Sequence, residues 1–104
     1  MKDTKELETK KAAVANVISW ALSEGAVGKT LTDIAFLANK YDLRINRQTL
    51  HNWYHEKYLP NQNTLHLYIY KLSTVKKSPD GEAQLLTAFF RSLLEATHYG
   101  EKTE

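Results

Sequence analysis

Residues 31–72 read LTDIAFLANKYDLRINRQTLHNWYHEKYLPNQNTLHLYIYKL, and the fold turns on how that stretch divides. Ile34, Ala35, Leu37, Ala38 and Tyr41 recur at three- and four-residue spacings, which predicts a helix of about 32–41 with Thr30 or Thr32 as its cap. Residues 42–45 form a turn. Asn46 is a good cap for a further helix of about 46–56, with Leu50, Trp53 and Tyr54 facing inward. Pro60 ends any continuation because it lacks an N–H and restricts the residue before it. Asn61 then caps a helix of about 61–73 that turns Leu65, Tyr68, Ile69 and Leu72 toward the core. Two helices joined by so short a turn cross steeply and leave the second one presented at the surface.

Working outward, residues 5–23 place Leu7, Val14, Val17, Ile18, Ala21 and Leu22 on one stripe of a helix. Gly25 and Gly28 break it, Gly25 as a left-handed stop. Ser78-Pro79 is a capping residue followed by a first-turn proline, and it predicts a last helix of about 79–98. No useful stretch alternates with period two, so no strand is expected. The fold class is all-α, a domain of five helices whose second and third form a helix-turn-helix over about 32–56. The expected organisation is a core domain of 1–77, a C-terminal amphipathic helix of 78–99 and a frayed tail of 100–104.

The 104 residues suit one small domain, and the 42% of hydrophobic residues excludes a disordered polyampholyte. No run of 18 uncharged apolar residues could span a membrane. Lys2, Asp3, Lys5, Glu6, Glu8, Lys10 and Lys11 make the opening unlike a signal peptide. The chain has no cysteine, which removes disulfides, thiolate metal sites and thiol catalysis and fits a cytoplasmic protein.

Charge is unevenly distributed. Residues 1–39 balance, whereas 40–77 hold Lys40, Arg44, Arg47, Lys57, Lys71, Lys76 and Lys77 against only Asp42 and Glu56. Residues 78–104 hold Arg91 and Lys102 against Asp80, Glu82, Glu95, Glu101 and Glu104. The basic middle third is where an anionic partner would be met, unless it is simply a solvated face. Within it, Arg47, Gln48, His51 and Asn52 fall on one face of the 46–56 helix. That face carries a cation, two amides and an imidazole and no aliphatic side chain. Such a set suits base edges, since Arg pairs with guanine and Gln or Asn with adenine; the plain alternative is an ordinary wet helix face.

The phrase Ile45-Asn46-Arg47-Gln48-Thr49-Leu50-His51-Asn52-Trp53 resembles the recognition helix of the Cro/repressor (XRE-type) helix-turn-helix family, and the whole is lambda-repressor-like. Pro60, Leu65 and Leu72 follow at that family's spacing, and the likeness covers about 40 residues. Two features depart from it. Asp42 stands where the family has a glycine, with about two extra residues before Asn46, and Glu56-Lys57-Tyr58-Leu59 replaces its Asn-Gly loop. Trp-Tyr-His-Glu-Lys-Tyr-Leu-Pro is also similar to the phage lysogeny activators of the lambda CII type. The resemblance implies that Arg47, Gln48, His51 and Asn52 face the major groove. It implies backbone contacts from Thr32, at a helix N-terminus, and from Arg44, Asn46, Lys57 and Tyr58.

Other motifs are weaker. Gly28-Lys29-Thr30 ends like a phosphate-binding loop, but Ser23 stands where its first glycine is needed and no strand precedes it. His51 and His55 have the spacing of paired zinc ligands without a third, and neither Asp33, Asp42 nor Glu56 is placed as an acid/base pair. In the last helix Leu85, Leu86, Phe89, Phe90, Leu93 and Leu94, widened by Ala83, Ala88 and Ala96, exceed the stripe that one neighbour would cover. They predict an assembly surface of Leu86, Phe89, Phe90, Leu93 and Leu94, and a homodimer or higher homo-oligomer on paired half-sites; the plain alternative is a helix that merely caps the core of a five-helix monomer. The expected function is sequence-specific binding of double-stranded DNA by a repressor-like transcriptional regulator, with no cofactor, no metal and no enzymatic activity. A protein-interaction module that keeps the fold, an antitoxin or an adaptor, is the alternative.

Overall fold

A computed structural model describes residues 2–23 and 26–98, with side chains from residue 5 onward. Gly25 and the tail 100–104 lie outside the described residues. The described chain is all-α and its elements are α1 (Lys2–Leu22), α2 (Leu31–Lys40), α3 (Arg47–Tyr54), α4 (Gln62–Ser73) and α5 (Glu82–Thr97). None is long and apolar enough to cross a membrane.

Local chemistry sets the helix starts. Thr30, rather than Thr32, caps α2: its Oγ1 accepts the Asp33 N–H at 3.1 Å, while Asp33 Oδ2 accepts the Thr30 N–H at 3.2 Å. Asn46 accepts the Thr49 N–H at 2.8 Å and Asn61 the Thr64 N–H at 3.1 Å, as their positions predict. Gly28 is close-packed: a Cβ there would lie 3.0 Å from the backbone nitrogen of Ile34 and 2.9 Å from Asp33 Cβ. Its lack of a side chain therefore serves the turn into α2.

Helices α2 and α3 stop in the same way. The Leu43 N–H bonds to Ala38 O and the Asp42 N–H to Asn39 O, both at 3.0 Å, with Asp42 left-handed at φ 63°. The Lys57 N–H bonds to Asn52 O at 2.9 Å and the Glu56 N–H to Trp53 O at 3.2 Å, with Glu56 at φ 60°. Each pair of bonds satisfies the last carbonyls of its helix and needs one left-handed residue. Asp42 and Glu56 thus fill the place of glycine, which is how the chain keeps both stops without it. This also makes α3 shorter than the 46–56 expected.

The turn between α2 and α3 is part of the core, because Leu43 and Ile45 are buried. Asn39 holds it by donating Nδ2 to Ala35 O at 2.8 Å and to Ile45 O at 2.6 Å. Tyr68 of α4 and Lys71 reach it as well, donating to Arg44 O at 3.3 Å and Asp42 O at 3.2 Å.

The last helix departs from expectation in two ways. Pro79–Gly81 form a single 3-10 turn in which Asp80 has φ 54° and Gly81 φ 68°, so α5 begins only at Glu82. Gly81 is its N-cap in place of the expected Ser78, whose hydroxyl nevertheless accepts the Ala83 N–H in the first turn at 2.7 Å. More importantly, α5 packs on both α4 and α1, and it belongs to the same hydrophobic cluster as the rest of the chain. Leu86, Phe89, Phe90 and Leu93 are each 0% exposed, with Phe90 ring centroids 5.1 Å from both Tyr68 and Phe89. The expectation that these four form an assembly surface is corrected. Two neighbours within the chain consume the wide stripe, leaving Leu94 half-buried and Ala88 exposed. The described part of the expected 78–99 unit, residues 78–98, is accordingly not an appended helix: α5 is the strut that closes the core. A network fastens its start to α2: Lys40 Nζ donates to Glu82 Oε1 at 2.9 Å and the Tyr41 hydroxyl to the same oxygen at 2.7 Å.

Candidate nucleic-acid interface

Helix α3 is anchored by Leu50 and Trp53, which are 0% and 5% exposed, and it packs on α1 and α2. Burying that side turns Arg47 and Gln48 fully outward and leaves His51 and Asn52 half-buried beside them. The four residues singled out for base contact therefore share one side of a surface helix. Asn46, at its head, is exposed, but its side-chain oxygen is occupied by the Thr49 N–H and by Thr49 Oγ1 at 3.0 Å.

Two of the four are already engaged with one another. Gln48 Nε2 donates to Asn52 Oδ1 at 3.1 Å, and Asn52 Nδ2 donates to the Tyr58 hydroxyl at 2.7 Å. Tyr58, in the loop after α3, is 49% exposed. The four-residue spacing of Gln48 and Asn52 carried the signal for the first bond. Nothing local announced the second, which depends on the left-handed turn at Glu56 bringing the loop back along the helix.

His51 differs in character from its neighbours. Its Nδ1 is buried without a hydrogen-bond partner, and its ring centroid lies 4.2 Å from that of His55. Partial burial, followed by the nearby His55, Lys57 and Arg47, lowers its pKa below the usual imidazole value. It can offer a hydrogen bond or a ring face to a base edge.

The residues expected at the DNA backbone are spread around α3. Arg44, with 90% of its side chain exposed, lies just before the helix, its Nε 4.0 Å from Asp42 Oδ1. Lys57 is exposed just after it, and its carbonyl accepts Lys11 Nζ of α1 at 3.2 Å. That tie brings a cation from α1 to the rim of the face, a contribution that sequence spacing did not reveal. Thr32 is exposed in the first turn of α2, as expected. The adjacent Asp33 carboxylate already serves the N-terminus of that helix, so a phosphate arriving there would meet a negative charge. Among the described residues no cluster of three or more His, Asp or Glu side chains is placed to hold a metal ion. Comparisons with protein-family models, with curated proteins and with solved structures found no match.

Proposed function

We propose that the protein is a sequence-specific double-stranded DNA-binding transcriptional regulator that lays α3 in the major groove. The observation that carries the reading is the outward face of α3. Arg47 and Gln48 stand clear of a helix whose other side is buried, and Arg44, Lys57 and Lys11 lie at its two ends. Helix α2 and the buried turn give that face a rigid base, which suits contacts that must be placed within a fraction of an ångström. The resemblance of residues 45–53 to the Cro/repressor recognition helix supports the same assignment. A single eight-residue helix reads few base pairs, so two copies on paired half-sites are part of the reading. The buried residues of α5 do not supply the contact between them.

The test is fluorescence anisotropy of labelled random-sequence duplex, titrated with protein between about 50 and 200 mM salt. Binding that weakens linearly on logarithmic axes is expected, and Lys57→Ala should reduce that slope by about one. A protein that binds no duplex at low salt, or binds equally at both salt concentrations, would contradict the reading and favour a protein-interaction module.

A further inference from the structure

The hydrogen-bond chain from Gln48 through Asn52 to Tyr58 has a direction. A side-chain amide carries its acceptor and its donors on opposite arms, so fixing one arm fixes the other. With the Asn52 amino group drawn to the Tyr58 hydroxyl, its oxygen is turned toward Gln48 and is met by Gln48 Nε2. Gln48 is thereby held with one N–H engaged, leaving Oε1 and a second N–H to meet a base edge. That acceptor–donor pair is complementary to adenine in the major groove, whose amino group donates while N7 accepts. Guanine offers two acceptors there and would set its O6 against Oε1. At the far end, the Tyr58 hydroxyl accepts from Asn52 and keeps its own hydrogen, on a side chain that is half exposed. A phosphate oxygen is the natural acceptor for it, and an anion at one end of such a chain strengthens the bonds along it.

We infer that Tyr58 is a positioning residue that acts through Asn52 to preset the Gln48 amide for adenine, coupling one phosphate contact to the reading of one base. This rests on the DNA-binding reading and deepens it. Asn52 becomes part of the relay in place of a base contact of its own, and Tyr58 does more than grip the backbone.

Selection of binding sites with wild-type protein and with Gln48→Ala identifies the base whose preference Gln48 supplies, and that base should be adenine. Tyr58→Phe then keeps the ring and removes only the hydroxyl. Affinities are measured on the selected duplex and on one with that adenine pair replaced by a guanine pair. The ratio of the two should fall by about tenfold in Tyr58→Phe, within the range of a bidentate base contact. In a Gln48→Ala background the same change should leave the ratio unmoved. Equal weakening on both duplexes would reduce Tyr58 to a backbone contact and overturn the inference. So would a ratio that falls equally without Gln48, or a Gln48-dependent base other than adenine. Wild-type protein that selects no sequence would overturn the DNA-binding reading and the relay with it, an outcome distinct from selection that survives Tyr58→Phe intact.

Discussion

Glu56 ends α3 in a conformation that its side chain disfavours, and replacing it with glycine should make the protein more stable. At φ 60° the Cβ of Glu56 crowds the following carbonyl, at a cost of about 1–2 kcal/mol for an L residue. Glycine removes that cost while adding freedom to the unfolded chain, which returns about 0.4–1 kcal/mol. The two hydrogen bonds that close the helix, from the Glu56 and Lys57 N–H groups, are unaffected because both are backbone bonds. The net expectation is a gain of about 0.5–1 kcal/mol, or a rise in Tm of about 2–8 °C for a domain of this size. The assay is thermal unfolding followed by circular dichroism at neutral pH, with Glu56→Ala beside it. Alanine removes the charge but keeps the Cβ, so it should melt close to wild type. If Glu56→Gly melts no higher than Glu56→Ala, the account of how α3 terminates is refuted.

Phe90→Ala should cost about 3–5 kcal/mol in urea unfolding, because a 0%-exposed ring between α4 and its neighbours leaves a cavity. A change of oligomeric state with unaltered unfolding would instead return Phe90 to an assembly surface. Hydrogen bonds from Lys40 and Tyr41 hold the Glu82 carboxyl below its ordinary pKa, so this tie between α2 and α5 stabilises at neutral pH. Its contribution should be lost as the pH falls below 4.5 through the folded-state value. Melting temperatures of wild type should therefore drop more steeply in acid than those of Glu82→Gln, and parallel curves would contradict the assignment. The same pairing raises Lys40 above 10.5, so on the alkaline side it is lost only as the pH rises beyond that value.

The helix order and the caps were legible in the sequence because their causes are local. Asn46 and Asn61 each reach a backbone N–H three residues on, and Pro60 stops a helix wherever it stands. The polar face of α3 was legible for the same reason, since spacing alone puts Arg47, Gln48, His51 and Asn52 together. What escaped depends on other parts of the chain. The width of the α5 stripe reported how much surface is covered but not by whom, and α1 and α4 turned out to cover it. Leu43 and Ile45 sit in a short turn with no period to betray their burial. Ser78-Pro79 marked the right place, yet the left-handed Asp80 and Gly81 delay the helix to Glu82. The contact of Asn52 with Tyr58 and that of Lys11 with the Lys57 carbonyl both cross the loop after α3, whose path is set by the φ of Glu56.

The central claim is that α3 reads base sequence, and binding-site selection from a random duplex library at near-physiological salt tests it most directly. Wild-type protein should enrich a defined sequence, in an inverted or direct repeat if two copies bind. The double variant Arg47→Ala/Gln48→Ala, altered only at exposed positions, should lose that enrichment while keeping its fold. No enrichment by wild type, or enrichment that the folded double variant retains, would contradict the account.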